Sequence, residues 1–135
     1  MKNLAVAATL LLCLLFLGAC NNSPTEPNDY PRITSFTGTR SVQAGQQAVF
    51  NFTGYDPDGG TVSYRLHLHL ERAPQPCLHW DLDWGPYVDN NQVYEEVITW
   101  EWGPGEFQVF AVVQDANGRM CPEDQRPVIE VLVSE

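Results

Sequence analysis

Thr61-Val62-Ser63-Tyr64-Arg65-Leu66-His67-Leu68-His69-Leu70 is the stretch that decides how this chain folds. Val62, Tyr64, Leu66, Leu68 and Leu70 fall on one side of it, and Ser63, Arg65, His67 and His69 on the other. A period of two belongs to a β-strand, whose successive side chains point to opposite faces; wound as a helix, the same residues would scatter around the axis. One face is built for a core and the other for water, as in an antiparallel sheet covered on one side only.

Working outward, the same pattern recurs on both flanks. Asp56-Pro57-Asp58-Gly59-Gly60 reads as a turn, because proline presets its dihedral and the glycines permit positive φ. Before it, residues 47–53 alternate with Phe50 and Phe52 on one face, and residues 32–37 form a short first strand. After Leu70 the pattern breaks: residues 71–91 hold three prolines, Cys77, Trp80, Trp84 and Tyr87, with Asp81, Asp83 and Asp89 between them. Alternation returns over residues 93–102, where Ile98, Trp100 and Trp102 share a core face. Gly103-Pro104-Gly105 then turns the chain. Residues 106–114 place Phe107, Val109, Ala111 and Val113 together, Asp115-Ala116-Asn117-Gly118 is a strong turn, and residues 128–133 make a last strand. No segment carries a helical period. Six or seven strands in roughly 100 residues predict an all-β fold, a single antiparallel immunoglobulin-like β-sandwich of about seven strands.

The N-terminus has a different character. Met1 and Lys2 precede an apolar run from Leu4 to Leu17, then the small residues Gly18 and Ala19, then Cys20. About 14 apolar residues are short for a membrane span of roughly 20, whereas the order of positive start, apolar run and small residues is that of a signal peptide. Leu17-Gly18-Ala19-Cys20 resembles the lipobox of bacterial lipoproteins at every position. That resemblance implies cleavage before Cys20, lipidation of its thiol, and a chain held on a membrane by its acyl groups. It divides the chain into a signal peptide (1–19), a lipidated cysteine with a proline-rich disordered tether (20–31), and a β-sandwich domain (32–135). With Asn21, and not aspartate, after the cysteine, it also implies the outer membrane if the cell is Gram-negative, facing either the periplasm or the outside.

Loss of residues 1–19 leaves 116, enough for one domain with a core. Lys2 leaves too, so six arginines face 17 acidic residues and the formal charge becomes −11. Such a surface repels nucleic acid and anionic headgroups. Cys13 departs with the leader and Cys20 carries lipid, so Cys77 and Cys121 remain in an oxidising compartment, where a disulfide between them is expected.

A second resemblance covers the domain. Phe52-Thr53-Gly54-Tyr55-Asp56-Pro57-Asp58-Gly59-Gly60 with Val62-Ser63-Tyr64-Arg65-Leu66 resembles the second and third strands of bacterial PKD and fibronectin-III-like domains. Pro104-Gly105-Glu106-Phe107-Gln108-Val109, ending in Asp115-Ala116-Asn117-Gly118, resembles their penultimate strand and its turn. Two departures stand out: Phe107 replaces a common corner tyrosine, and residues 71–91 are longer and more aromatic than a plain connection.

Three constellations carry chemistry. His67 and His69 point the same way from one strand, with His79 further on; imidazoles so presented suit a transition metal and, with a third ligand, a metal-dependent enzyme, although surface histidines are also ordinary. Asp56, Asp58, Asp115 and Asn117 sit in two turns that an immunoglobulin-like topology brings to one end, and their oxygens suit calcium, although all four are also good turn formers. Trp80, Trp84 and Tyr87, flanked by carboxylates, either stack on sugar rings and anchor a protein or fold down as a lid over the sheet. No nucleophile elbow or phosphate-cradling loop appears. The expectation is a non-catalytic binding or structural module at the envelope, with no cofactor beyond the calcium candidate. It would contact an envelope protein or, alternatively, a glycan through Trp80, Trp84 and Tyr87. Because the first strand begins beside the Asp56 turn, that end should face the membrane.

Overall fold

The computed structural model describes residues 30–135; the lipobox, the signal peptide and nearly all of the tether lie outside the described residues. The strands are β1 (Arg32–Gly38), β2 (Ser41–Gln43), β3 (Gln47–Tyr55), β4 (Thr61–Leu70), β5 (Leu78–Asp81), β6 (Val88–Asp89), β7 (Tyr94–Thr99), β8 (Gly105–Asp115) and β9 (Val128–Ser134). One turn of 3-10 helix, Glu123–Gln125, precedes β9. β1, β3 and β7 make one sheet in the order β1-β3-β7, and the second runs β2-β9-β8-β4-β5 with β6 also on β4.

The two sheets bury their period-two faces against each other. Phe50 and Phe52 from β3, Tyr64, Leu66 and Leu68 from β4, Phe107, Val109 and Val113 from β8, and Ile129, Val131 and Val133 from β9 are all buried. Burying one such side chain contributes roughly 1.5–3 kcal/mol, so the alternating residues drive the two sheets together. β4 is an inner strand of the larger sheet, paired with β8 at every position from Val62↔Asp115 to Leu70↔Phe107. The fold is an immunoglobulin-like β-sandwich, as the alternation predicts. β1 starts beside the end of β3, with Arg32 opposite Tyr55, so the chain enters next to the Asp56 turn.

Four expectations need correction. The sandwich is not antiparallel throughout, because β2 pairs parallel with β9 through Ser41↔Leu132, Val42↔Val133 and Gln43↔Ser134. The chain leaves the smaller sheet after Gly38 and joins the edge of the larger one in the same sense as β9. Three residues are too few to carry a readable period.

Residues 71–91 are not a lid. Leu78–Asp81 pairs with β4 from Leu70↔Leu78 to His67↔Asp81. The Leu82 N–H then donates to the Leu66 carbonyl at 3.0 Å and the Gly85 N–H to the Tyr64 carbonyl at 2.9 Å. Val88–Asp89 closes the run against Val62 and Thr61. The stretch is an interrupted edge strand along β4, with Pro86 in a gap between its paired segments, where a missing N–H is tolerated.

The strand from residue 93 ends at Thr99, although Trp100 and Trp102 still pack inward as expected. The Trp100 N–H turns to the Gln46 carbonyl at 2.9 Å, while its indole is buried edge-on against Phe107 with ring centroids 4.9 Å apart. Trp102 is half-buried against Trp100.

Cys77 and Cys121 are free thiols, not a disulfide. Cys77 directly precedes Leu78, which pairs with Leu70, whereas the Cys121 N–H donates to the Val113 carbonyl, level with Tyr64. Six positions along β4 separate those levels, roughly 20 Å at about 3.3 Å per residue. A disulfide requires Cα atoms within about 7 Å. The edge pairing of residues 71–91 holds them apart.

Candidate functional site

Each turn at the chain-entry end starts with an aspartate and ends on a glycine of positive φ, Gly59 and Gly118. In the first, the Asp58 N–H donates to Asp56 Oδ1 at 3.0 Å; in the second, the Asn117 N–H donates to Asp115 Oδ1 at 2.8 Å. Aspartate is favoured at such positions because its carboxylate caps the backbone two residues on. The topology does bring the turns together, but the group between them is the Arg119 guanidinium. Nε donates to Asp115 Oδ2 and Nη2 to Asp58 Oδ2, both at 2.7 Å. Burial pushes the Asp115 carboxyl up. The Arg119 backbone N–H, its side chain and the Asn117 N–H outweigh that and hold the carboxyl below the usual aspartate range. Asp56 is buried, its backbone N–H bonded to Asn90 Oδ1 at 2.8 Å. The carboxylates proposed for calcium are thus occupied by an arginine and by turn amides, and Asn117 contributes its backbone N–H to the turn. Among the described residues, no group of three or more His, Cys, Asp or Glu side chains is assembled for a metal.

The aromatic residues are dispersed along the β4 edge. Trp80, opposite Leu68, turns inward onto Trp102 and Phe107 at centroid distances of 6.3 and 6.1 Å. Trp84 is half-buried against the core, with the Arg65 guanidinium 4.7 Å from its ring centroid. Tyr87 is exposed, and its hydroxyl donates to the Asp115 carbonyl at 3.2 Å. Two of the three rings are spent on packing, so they form no stacking platform for a sugar.

The densest polar cluster lies on the outer face of the larger sheet. Alternation on β4 sends Arg65, His67 and His69 outward, and β5 places Asp81 opposite His67 and His79 opposite His69. The His67 Nδ1–H is directed at Asp81 Oδ1, 2.8 Å away, and Arg65 adds an ion pair to Asp81 at 3.4 Å. His79 Nδ1 is 3.3 Å from His67 Nε2, and the His69 and His79 rings stack at 4.5 Å. The hydrogen bond from His67, aided by the Arg65 charge and opposed by slight burial, holds the Asp81 carboxyl below its ordinary range. The cluster lines an open groove of about 560 Å3, whose other walls include Phe110, Met120, Glu123 and Arg126. A neighbouring groove of about 590 Å3 on the same face is lined by Glu71, Glu106, Glu130 and Leu132 among others. The alternation places His67 and His69 on the outer face, but Asp81 as a partner goes unseen, because β5 has too few residues to declare a strand.

No family model matches this chain, and no curated protein matches it. Solved structures do. The PKD domain of an M14-like peptidase from a Thermoplasmatales archaeon is 20% identical, with a TM-score of 0.59 over 80% of this chain and 99% of that one. A β-glucosidase from Listeria innocua matches at 10% identity and TM-score 0.49, over 78% of this chain and 16% of that chain. The first likeness shows the fold, an immunoglobulin-like β-sandwich similar to that of the PKD domain.

Proposed function

We propose that this chain is a lipid-anchored, non-catalytic binding module of the bacterial envelope, held by Cys20 and contacting a protein partner through the outer face of its larger sheet. One observation carries the reading: that face presents Met120, Val128 and Leu132 at 41, 47 and 55% exposure beside two open grooves. Exposed apolar side chains rimmed by charge, on a surface with concavities, are the features of a protein interface. The glutamates of the second groove and the acidic surface as a whole favour a partner with a basic patch. The His67–Asp81 pair resembles a base and its orienting group, but the other nitrogen of His67 faces His79, and the groove lining offers no serine, threonine or cysteine for it to activate.

The test is site-specific photocrosslinking in intact envelopes. A crosslinker at Leu132 should give one discrete adduct, and the same group at Val97, exposed on β7 of the other sheet, should give none. Adducts at Val97 alone, or at neither position, would remove the interface. Anchoring is checked separately. Metabolic labelling with a fatty acid should mark the chain and vanish in Cys20→Ala; an unlabelled parent chain would remove the lipid anchor.

A further inference from the structure

We propose that His67 Nε2 and His79 Nδ1 form a binding site for a divalent transition-metal ion of the zinc, copper or nickel group. The placement of two nitrogens carries it, whether or not the surrounding groove holds a protein.

The two nitrogens stand 3.3 Å apart. Two imidazoles bound tetrahedrally at about 2.0–2.1 Å from one ion would have nitrogens about 3.3–3.4 Å apart. The backbone pairing of β4 with β5 brings the two rings together: His67 lies opposite Asp81, and His79 is two residues before it on the same face. The pair is therefore close to ligating geometry before any ion arrives, so little ordering is needed on binding.

Asp81 settles the tautomer. With Oδ1 at 2.8 Å from His67 Nδ1, the carboxylate accepts a hydrogen bond from Nδ1–H, which leaves the Nε2 lone pair facing His79. A carboxylate behind a histidine orients the ring and raises its basicity, the usual outer partner of a metal-bound imidazole. With His67 Nε2 as acceptor, the 3.3 Å hydrogen bond is donated by His79 Nδ1–H, and a binding ion takes that proton's place while His79 carries its proton on Nε2.

His69 lines the site without completing a set of three ligands. The His69 ring stacks on His79 at 4.5 Å, and its Nε2 is enclosed without a hydrogen-bond partner. The other coordination positions open into the groove, toward water or a donor from whatever occupies it. The charges facing the site partly cancel: Asp81 and Glu123 favour a cation, while Arg65 and Arg126 oppose it, each arginine paired with one of those carboxylates. Imidazole donors select zinc, copper and nickel over magnesium or calcium.

The test is calorimetric titration of the purified full chain with zinc alone. One equivalent should bind, and His67→Ala and His79→Ala should each weaken binding by about tenfold or more. Cys77→Ser should leave binding intact, since that exposed thiol is a competing zinc ligand. Asp81→Asn should weaken binding by about tenfold at neutral pH. Melting in metal-free buffer checks that each variant folds, and His79→Gln replaces His79→Ala if the latter does not. No binding at about 0.1 mM zinc, unchanged affinity in either histidine variant, or loss in Cys77→Ser alone would overturn the site.

Discussion

Arg119 Nη2 lies 2.7 Å from Asp58 Oδ2 although 61 residues separate the two in the chain. The same guanidinium holds Asp115 through Nε, so one arginine ties the β3–β4 turn to the β8–β9 turn. Asp115 is fully buried, and its carboxylate also caps two backbone amides of its own turn. This end of the sandwich is closed by a charge network centred on a cation that the protein itself supplies.

Asp115→Asn should therefore destabilise the fold by about 2–3 kcal/mol, since a buried, charge-assisted network loses its anion. The pH dependence has a definite sign. A carboxyl held below its unfolded value contributes stability that is complete above about pH 4 and lost as pH falls through the folded-state value. Urea melts from pH 7 to 2 should show the parent losing more stability on acidification than Asp115→Asn. Equal losses would mean that Asp115 is not the group responsible. Calcium should leave the melting temperature of the parent unchanged.

In the native state Cys77 should react with a thiol reagent within the mixing time of an ordinary assay, and Cys121 only after unfolding. Cys77→Ser should leave stability unchanged within about 0.5 kcal/mol, as for an exposed site. A Cys77–Cys121 crosslinked peptide recovered by mass spectrometry from native protein would contradict the edge-strand path of residues 71–91.

Leu68 is fully buried on β4, so Leu68→Ala should cost about 2–5 kcal/mol in chemical denaturation. Leu132→Ala, on the outer face of β9, should cost less than about 0.5 kcal/mol. A similar cost for both would contradict the assignment of inner and outer faces.

Gly54 is required for close approach between strands. A Cβ there would sit 2.4 Å from the Arg32 carbonyl oxygen and 2.9 Å from the Tyr64 hydroxyl. Gly54→Ala should push β1 off β3 and lower stability by about 1–3 kcal/mol, measurable as faster amide exchange in β1. Unchanged exchange would show that the strands have room to spare.

Trp80→Ala should lower the melting temperature, because its ring packs on Trp102 and Phe107. Polysaccharides should leave the tryptophan fluorescence of the parent unaltered. Glycan-dependent quenching lost in Trp84→Ala would restore the sugar-binding alternative.

Sequence alone was enough for everything that depends on local period and turn chemistry. The alternation from Val62 to Leu70 and from Phe107 to Val113 determined the inward face of the sandwich, since a one-residue slip would have buried His67 and exposed Leu68. Asp56 and Asp115 marked their turns because a carboxylate three residues before a glycine caps its own backbone. The pairing of distant segments lay beyond that reach. β2 and β5 are too short to carry a period, and only the free edges of β9 and β4 make strands of them. Once β5 lies on β4, Cys77 is carried away from Cys121, Trp80 turns inward, and Asp81 and His79 arrive beside His67. Likewise, only the docking of two turns onto each other sets Arg119 between Asp58 and Asp115. Residue types and their spacing encode which side faces the core; which side chains meet across that face is decided by the register between strands far apart in the chain.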